Sequence, residues 1–220
     1  MRAWAATGLA WALLTGGAAA QGTPSLTDTQ DIAWADRGFV ATRADPLIRA
    51  ADGRTVWDLN AYAFMRGPAP RTANPLTWRQ GQLLARHGVY KVSDRIWQVR
   101  GFDIANATFI RGRSGWVVID PLTTTETAAA ALALVRERVA DLPVTAVIYT
   151  HSHADHFGGV RGVVAHADVD AGRVPVIAPD GFLEHAVAEN VLAGAAMSRR
   201  AQYQFGTSLP RGPEGQIGAG

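Results

Sequence analysis

The sequence predicts an α/β fold whose sheet ends at a cation-binding loop. Three observations carry that prediction. Apolar and polar residues alternate in short runs between Gly88 and Ile119, the two-residue period of half-buried strands. A helical run from Thr125 to Ala140 then leads into Val144-Thr145-Ala146-Val147-Ile148-Tyr149, an apolar, β-branched stretch of the kind that forms a buried strand. Directly after it stand His151, His153, Asp155 and His156, four cation-binding side chains within six residues.

In chain order, Arg2 supplies a positive start, and Ala3 to Leu14 is apolar apart from Thr7 and Gly8. Ala18-Ala19-Ala20 fits the small-residue rule for signal cleavage, so residues 1–20 read as a signal peptide and a periplasmic or secreted chain starts at Gln21. The apolar run falls well short of the ~18–20 residues of a membrane span. No later stretch reads as one.

Gln21 to Arg86 shows little periodicity and reads as an irregular arm, residues 21–86, lying on the main domain. Trp34, Trp57, Tyr62, Phe64 and Trp78 are its expected anchors, because aromatic rings bury large areas. Trp57, Tyr62 or Phe64 could instead line an apolar channel. Asp52-Gly53 marks a turn between Leu47-Ile48 and Val56-Trp57, and Trp78 to Ala85 is a short helix.

Residues 87–220 form the main domain. Gly88 to Val92 and Ile96 to Arg100 flank Ser93-Asp94, a hairpin signal. Ala107 to Ile110 and Trp116 to Ile119 make a second pair. Asp120-Pro121 ends that strand, and Asp141-Leu142-Pro143 closes the helix that follows. Beyond the histidines, Val160 to Ala165 reads as a short helix, Val174 to Ile177 as a strand and Gly181 to Met197 as a long helix. From Thr207 glycine and proline dominate, and the stretch reads as open.

Composition narrows the chemistry. With 48% hydrophobic and 18% charged residues, the 220-residue chain can bury a core. Its net charge of +2 is scattered, with no basic run to suggest nucleic acid. There is no cysteine, so a metal site must rest on histidine and carboxylate. Imidazole nitrogen and carboxylate oxygen both bind zinc at roughly 2.0–2.2 Å. On an extended backbone His151 and His153 point the same way, and Asp155 and His156 come after a bend and could face a second ion. Two ions about 3.5–4 Å apart clamp a water and lower its pKa towards ~7. Gly158-Gly159 are expected to use backbone conformations closed to other residues. The plainer alternative is a polar loop whose histidines only cap backbone groups.

Thr150-His151-Ser152-His153-Ala154-Asp155-His156-Phe157-Gly158-Gly159 resembles the signature of the metallo-β-lactamase superfamily. Six flanking blocks look like the zinc-dependent alkyl sulfatases within it. They are Ala61-Tyr62-Ala63-Phe64, Trp78-Arg79-Gln80, Ile96 to Asp103, Gly115 to Leu122, Gly181 to Ala186 and Ala196-Met197-Ser198-Arg199-Arg200. The resemblance runs from about Asp31 to the end of the chain.

The resemblance implies an αββα sandwich of which this chain carries the first half. It implies two zinc ions, one on His151 and His153 and the other on Asp155 and His156, with Asp155 also counted as catalytic. Water held between the ions would be nucleophile or base, and the reaction would convert an alkyl sulfate ester to an alcohol and inorganic sulfate. Asp120 would support the loop by hydrogen bonding rather than bind metal; an ordinary turn aspartate is the alternative. Other hydrolases of the superfamily (lactamase, thioesterase, lactonase or phosphodiesterase) share the loop, and a non-catalytic zinc-binding domain is a further alternative. The resemblance also implies a homodimer in the complete protein, with the remaining ligands beyond Met197. On that basis the chain is expected to be an incomplete enzyme with weak zinc affinity.

His166 reads as a surface residue, His185 as a partly buried, hydrogen-bonded one, and His87 has no partner nearby in sequence. Asn190, Arg199 and Arg200 could approach a sulfate. A solvated helix end is the commoner meaning of Arg-Arg, and these residues stay outside the expected site.

Overall fold

A computed structural model describes residues 25–218. The expected signal peptide lies outside the described residues. The elements in order are α1 (Gln30–Asp36), β1 (Phe39–Ala41), β2 (Leu47–Arg49), β3 (Thr55–Asp58), α2 (Pro75–Leu84), β4 (Gly88–Ser93), β5 (Ile96–Arg100), β6 (Ala107–Arg111) and β7 (Trp116–Ile119). There follow α3 (Thr125–Arg138), β8 (Val144–Ile148), α4 (Ala154–Phe157), a 3-10 turn (Val160–Gly162), α5 (His166–Asp170), β9 (Val176–Ile177) and α6 (Phe182–Val187). A π-helical turn (Ala188–Leu192) then leads into α7 (Gly194–Phe205).

Seven strands form one sheet in the order β1-β4-β5-β6-β7-β8-β9, and β2 pairs with β3 separately. The expected hairpins are present: Lys91 faces Trp97 across β4 and β5, and Arg111 faces Trp116 across β6 and β7. β7 and β8 run parallel, as do β8 and β9. Parallel neighbours need a crossover, and α3 supplies it between β7 and β8. Thr124 caps α3 by accepting from the Thr127 amide at 3.1 Å, and Thr127 Oγ1 reaches back to the Thr124 amide.

One sheet face forms the core. Trp97, Val99, Ala107, Phe109, Trp116, Val118 and Val147 are buried in one cluster with Ala128, Ala131, Leu132, Leu134 and Val135 of α3. Full burial of each large apolar side chain stabilises by about 1.5–3 kcal/mol. Trp116 sits edge-on to Trp97 and Phe109, at 5.5 and 6.2 Å between ring centroids, and donates its indole N–H to the Ala140 carbonyl. The alternate residues Ile96, Gln98, Thr108, Ile110, Val117 and Ile119 are only half-buried.

The N-terminal stretch is more regular than expected. β1 extends the main sheet by pairing with β4, and Gly88 in β4 fits only as glycine, since a Cβ there would lie 2.5 Å from the Ala41 carbonyl. Trp57 and Trp78 act as anchors, donating to the carbonyls of Gly101 and Gly67, but Trp34 is 62% exposed and anchors nothing. The chain after Thr207 is not open either: Gln216 is buried, and Thr72 Oγ1 donates to the Pro213 carbonyl. The helix expected over Val160–Ala165 is only the 3-10 turn, and the one expected over Gly181–Met197 is broken by the π-helical turn. Among the described residues no helix is long and apolar enough to cross a membrane.

Candidate metal centre

Because β7 and β8 are parallel, their carboxyl ends open on the same edge of the sheet. Asp120 follows β7 directly, and the histidine loop follows β8. Such an edge is where open α/β sheets hold ligands. Asp120 and Leu122 have φ of 54° and 63°, the left-handed region, on either side of Pro121. Non-glycine residues there cost of order 1–3 kcal/mol each and persist only where packing dictates them. Here Leu122 and Pro121 are fully buried, and the bend aims the Asp120 carboxylate at the loop.

The glycine pair closes the loop for a different reason from the one expected. Gly158 and Gly159 have ordinary φ of −59° and −86°. What they allow is close approach. A Cβ on Gly158 would lie 2.3 Å from the Thr123 carbonyl, and one on Gly159 would lie 2.2 Å from that of Pro121. The Gly159 amide donates to the Leu122 carbonyl at 2.8 Å, joining the two loops.

Asp120 collects three hydrogen bonds. Oδ1 accepts from the Thr150 amide at 2.8 Å; Oδ2 accepts from Thr150 Oγ1 at 2.7 Å and faces His156 Nδ1 at 3.0 Å. An ionised carboxylate only accepts, so His156 carries its proton on Nδ1 and leaves Nε2 free. Thr150 has one hydroxyl proton, and Asp120 takes it. His151 Nδ1, 2.9 Å from Thr150 Oγ1, must therefore donate, which leaves its Nε2 free.

The free atoms converge. His151 Nε2 lies 3.1 Å from His153 Nδ1, and His156 Nε2 lies 3.3 Å from Asp155 Oδ2. Two ligands at the zinc distances above, on one tetrahedral ion, sit about 3.3–3.6 Å apart. The donor set, imidazole and carboxylate with no thiolate, also suits zinc. Each pair is thus spaced as two ligands of a single ion would be. Asp120, His151 and His156 also offer ligand atoms within 4.8 Å of one another, a possible site of their own. Both Asp120 oxygens are already engaged, and His156 faces Asp120 through its protonated Nδ1.

A second wall comes from the π-helical turn. Glu189 Oε2 accepts from Ser152 Oγ at 2.8 Å and lies 3.4 Å from His153 Nε2. Asn190 Nδ2 donates to the carbonyls of Ser152 and Ala186, at 2.9 and 2.8 Å. Tyr149, Phe157 and Phe182 cluster with ring centroids 5.2–5.9 Å apart and fasten α6 to the loop. Burial raises the Tyr149 phenol above its usual range. Glu189 was not singled out in the sequence, where it reads as a polar helix residue. The only signal was its place one residue before Asn190.

The other histidines stay apart. His166 is exposed and pairs with Asp170 at 3.0 Å. His87 bonds Thr42 Oγ1 at 2.7 Å, in the arm. His185 is exposed rather than partly buried. Arg199 and Arg200 are exposed on α7, and Asn190 spends both amide hydrogens on backbone carbonyls.

The family model of the metallo-β-lactamase superfamily matches residues 100–218, more than half of the chain. The chain belongs to the metallo-β-lactamase superfamily. It is 52% identical over 188 residues to a linear primary-alkylsulfatase of Pseudomonas sp., covering 84% of this chain and 28% of that protein. It is 47% identical over 195 residues to an alkyl/aryl-sulfatase of Saccharomyces cerevisiae, covering 88% of this chain and 30% of that protein. Among solved structures, a stereoselective inverting sec-alkylsulfatase from Pseudomonas sp. superposes with a TM-score of 0.81 at 49% identity, over 88% of this chain and 30% of that one. The chain thus spans less than a third of the length of these relatives. The superposition is a likeness of fold as well as of sequence.

Proposed function

We propose that this chain forms the metal-binding part of an enzyme that hydrolyses alkyl sulfate esters to an alcohol and inorganic sulfate. The observation that carries the reading is the near-50% identity to proteins named alkylsulfatases, over 84–88% of the chain. The loop geometry supports zinc as the metal, with His151 Nε2 and His153 Nδ1 holding one ion and His156 Nε2 and Asp155 Oδ2 the other. Zinc there would polarise water and neutralise the negative charge of the sulfate group.

The chain's own residues do the positioning. Asp120 orients His156 directly and His151 through Thr150. Asp155 brings a carboxylate beside His156 Nε2. Leu122, Pro121 and the glycine pair hold the two loops together. Export belongs to the same proposal and rests on residues 1–20 alone. So does a homodimer in the complete protein, which rests on the resemblance.

The test is turnover of a medium-chain alkyl sulfate, a β-lactam and a thioester by the zinc-loaded complete enzyme of which this chain is the metal-binding part. Sulfate release from the first alone supports the reading. Turnover of either other substrate, with none of the sulfate ester, overturns it.

A further inference from the structure

The three histidines of the loop are held from outside in two ways. His151 and His156 are both oriented by Asp120, one through Thr150. His153 has no contact with that aspartate. The acid facing it is Glu189, on the π-helical turn. Such turns insert one residue into a helix and are frequent at functional sites. Here the widened turn lets two successive residues reach one loop residue: Glu189 takes the Ser152 hydroxyl, and Asn190 takes the Ser152 carbonyl. Ser152 is buried between the two histidines it separates.

We infer that Glu189 is a positioning residue of the metal centre, holding the His153 ring through Nε2 so that Nδ1 is the atom turned towards His151. This rests on the reading of the loop as a metal centre. A carboxylate accepts and cannot donate, so a proton placed between His153 and Glu189 sits on Nε2. That fixes the tautomer whose free lone pair is on Nδ1, the atom 3.1 Å from His151 Nε2. Outer partners of metal-bound histidines commonly act in this way, and their loss costs 10–100-fold in metal affinity. The bonds to Ser152 add a second constraint, because they hold the backbone from which His153 projects. Asn190 is the clamp that keeps the turn against the loop.

The test uses the full chain, labelled with nitrogen-15 in histidine and titrated with zinc. Ring-nitrogen spectra report which nitrogen of His153 binds metal, and competition with a chelator gives the affinity. In the wild type, His153 is expected to bind through Nδ1 with a proton on Nε2. Glu189→Ala is expected to lose 10–100-fold in zinc affinity and to lose that single-tautomer signature. Glu189→Gln keeps an acceptor in the same volume and is expected to restore the signature and most of the affinity. If Glu189→Ala lowers only the melting temperature and leaves signature and affinity at wild-type values, the inference is overturned. If Glu189→Ala does not fold, mixed tautomers of His153 in the wild type, or metal bound through its Nε2, overturns it equally. A wild-type chain that takes up no zinc overturns the metal reading itself, a result that none of the variant comparisons can mimic.

Discussion

The Asp120 carboxylate lies 3.0 Å from His156 Nδ1, although 36 residues separate them. The link joins the end of β7 to the end of β8, and the same oxygen also accepts from Thr150. Asp120→Asn would replace one acceptor by a donor, in a place where every facing group donates. We expect zinc affinity to fall 10–100-fold. We also expect about 1–3 kcal/mol of lost stability from the unsatisfied groups. Chelator competition and denaturant melts measure the two effects. Wild-type affinity in a folded Asp120→Asn protein would reduce Asp120 to an ordinary turn residue.

Gly159 and Gly194 make a matched pair for testing close approach. A Cβ on Gly159 meets the Pro121 carbonyl at 2.2 Å, whereas one on Gly194 meets nothing within 4 Å. Gly159→Ala is expected to cost about 1–3 kcal/mol or more, by pushing the loops apart. Gly194→Ala, at the start of α7, is expected to be neutral or to stabilise by up to about 1 kcal/mol. Equal melting temperatures for the two variants would contradict the packing account.

His87 provides a pH prediction away from the metal loop. Burial holds its pKa below the usual value, and Asp58 opposes that only in part. The unfolded chain therefore takes up the proton more readily. Stability from this residue is fully present above about 6.5, the ordinary histidine value, and is lost as pH falls below it. The melting temperature of His87→Gln is expected to fall less than that of the wild type between pH 7 and pH 5. Parallel curves would show that His87 does not titrate on unfolding.

If residues 1–20 are a signal peptide, protein recovered from the periplasm or medium starts at Gln21. Intact mass checks this. A cytosolic protein that retains Met1 would contradict export.

Much of the fold could be read from the chain because its periods are local. The alternation through β4 to β7 declares four strands, and the run from Thr125 to Ala140 declares α3, which ends at Arg138. The cluster of His151, His153, Asp155 and His156 stands out in the chain because the spacing of donor residues is also local. What stayed hidden depends on distant partners. β1 is three residues long, and only its pairing with β4 makes it a strand. The role of the glycine pair depends on carbonyls of Pro121 and Thr123, which no period announces. Glu189 reaches the loop only because a π-helical turn breaks the apolar run that reads as one long helix.

The central claim is that the loop from Thr150 to Gly159 is a metal centre. Zinc content and affinity of the purified wild type, beside folded His151→Ala and His156→Ala variants, test it most directly. The account predicts zinc in the wild type and at least a 100-fold loss of affinity in each variant, since each removes a proposed ligand outright. Equal zinc binding by all three proteins, with their melting temperatures unchanged in the absence of metal, would contradict it.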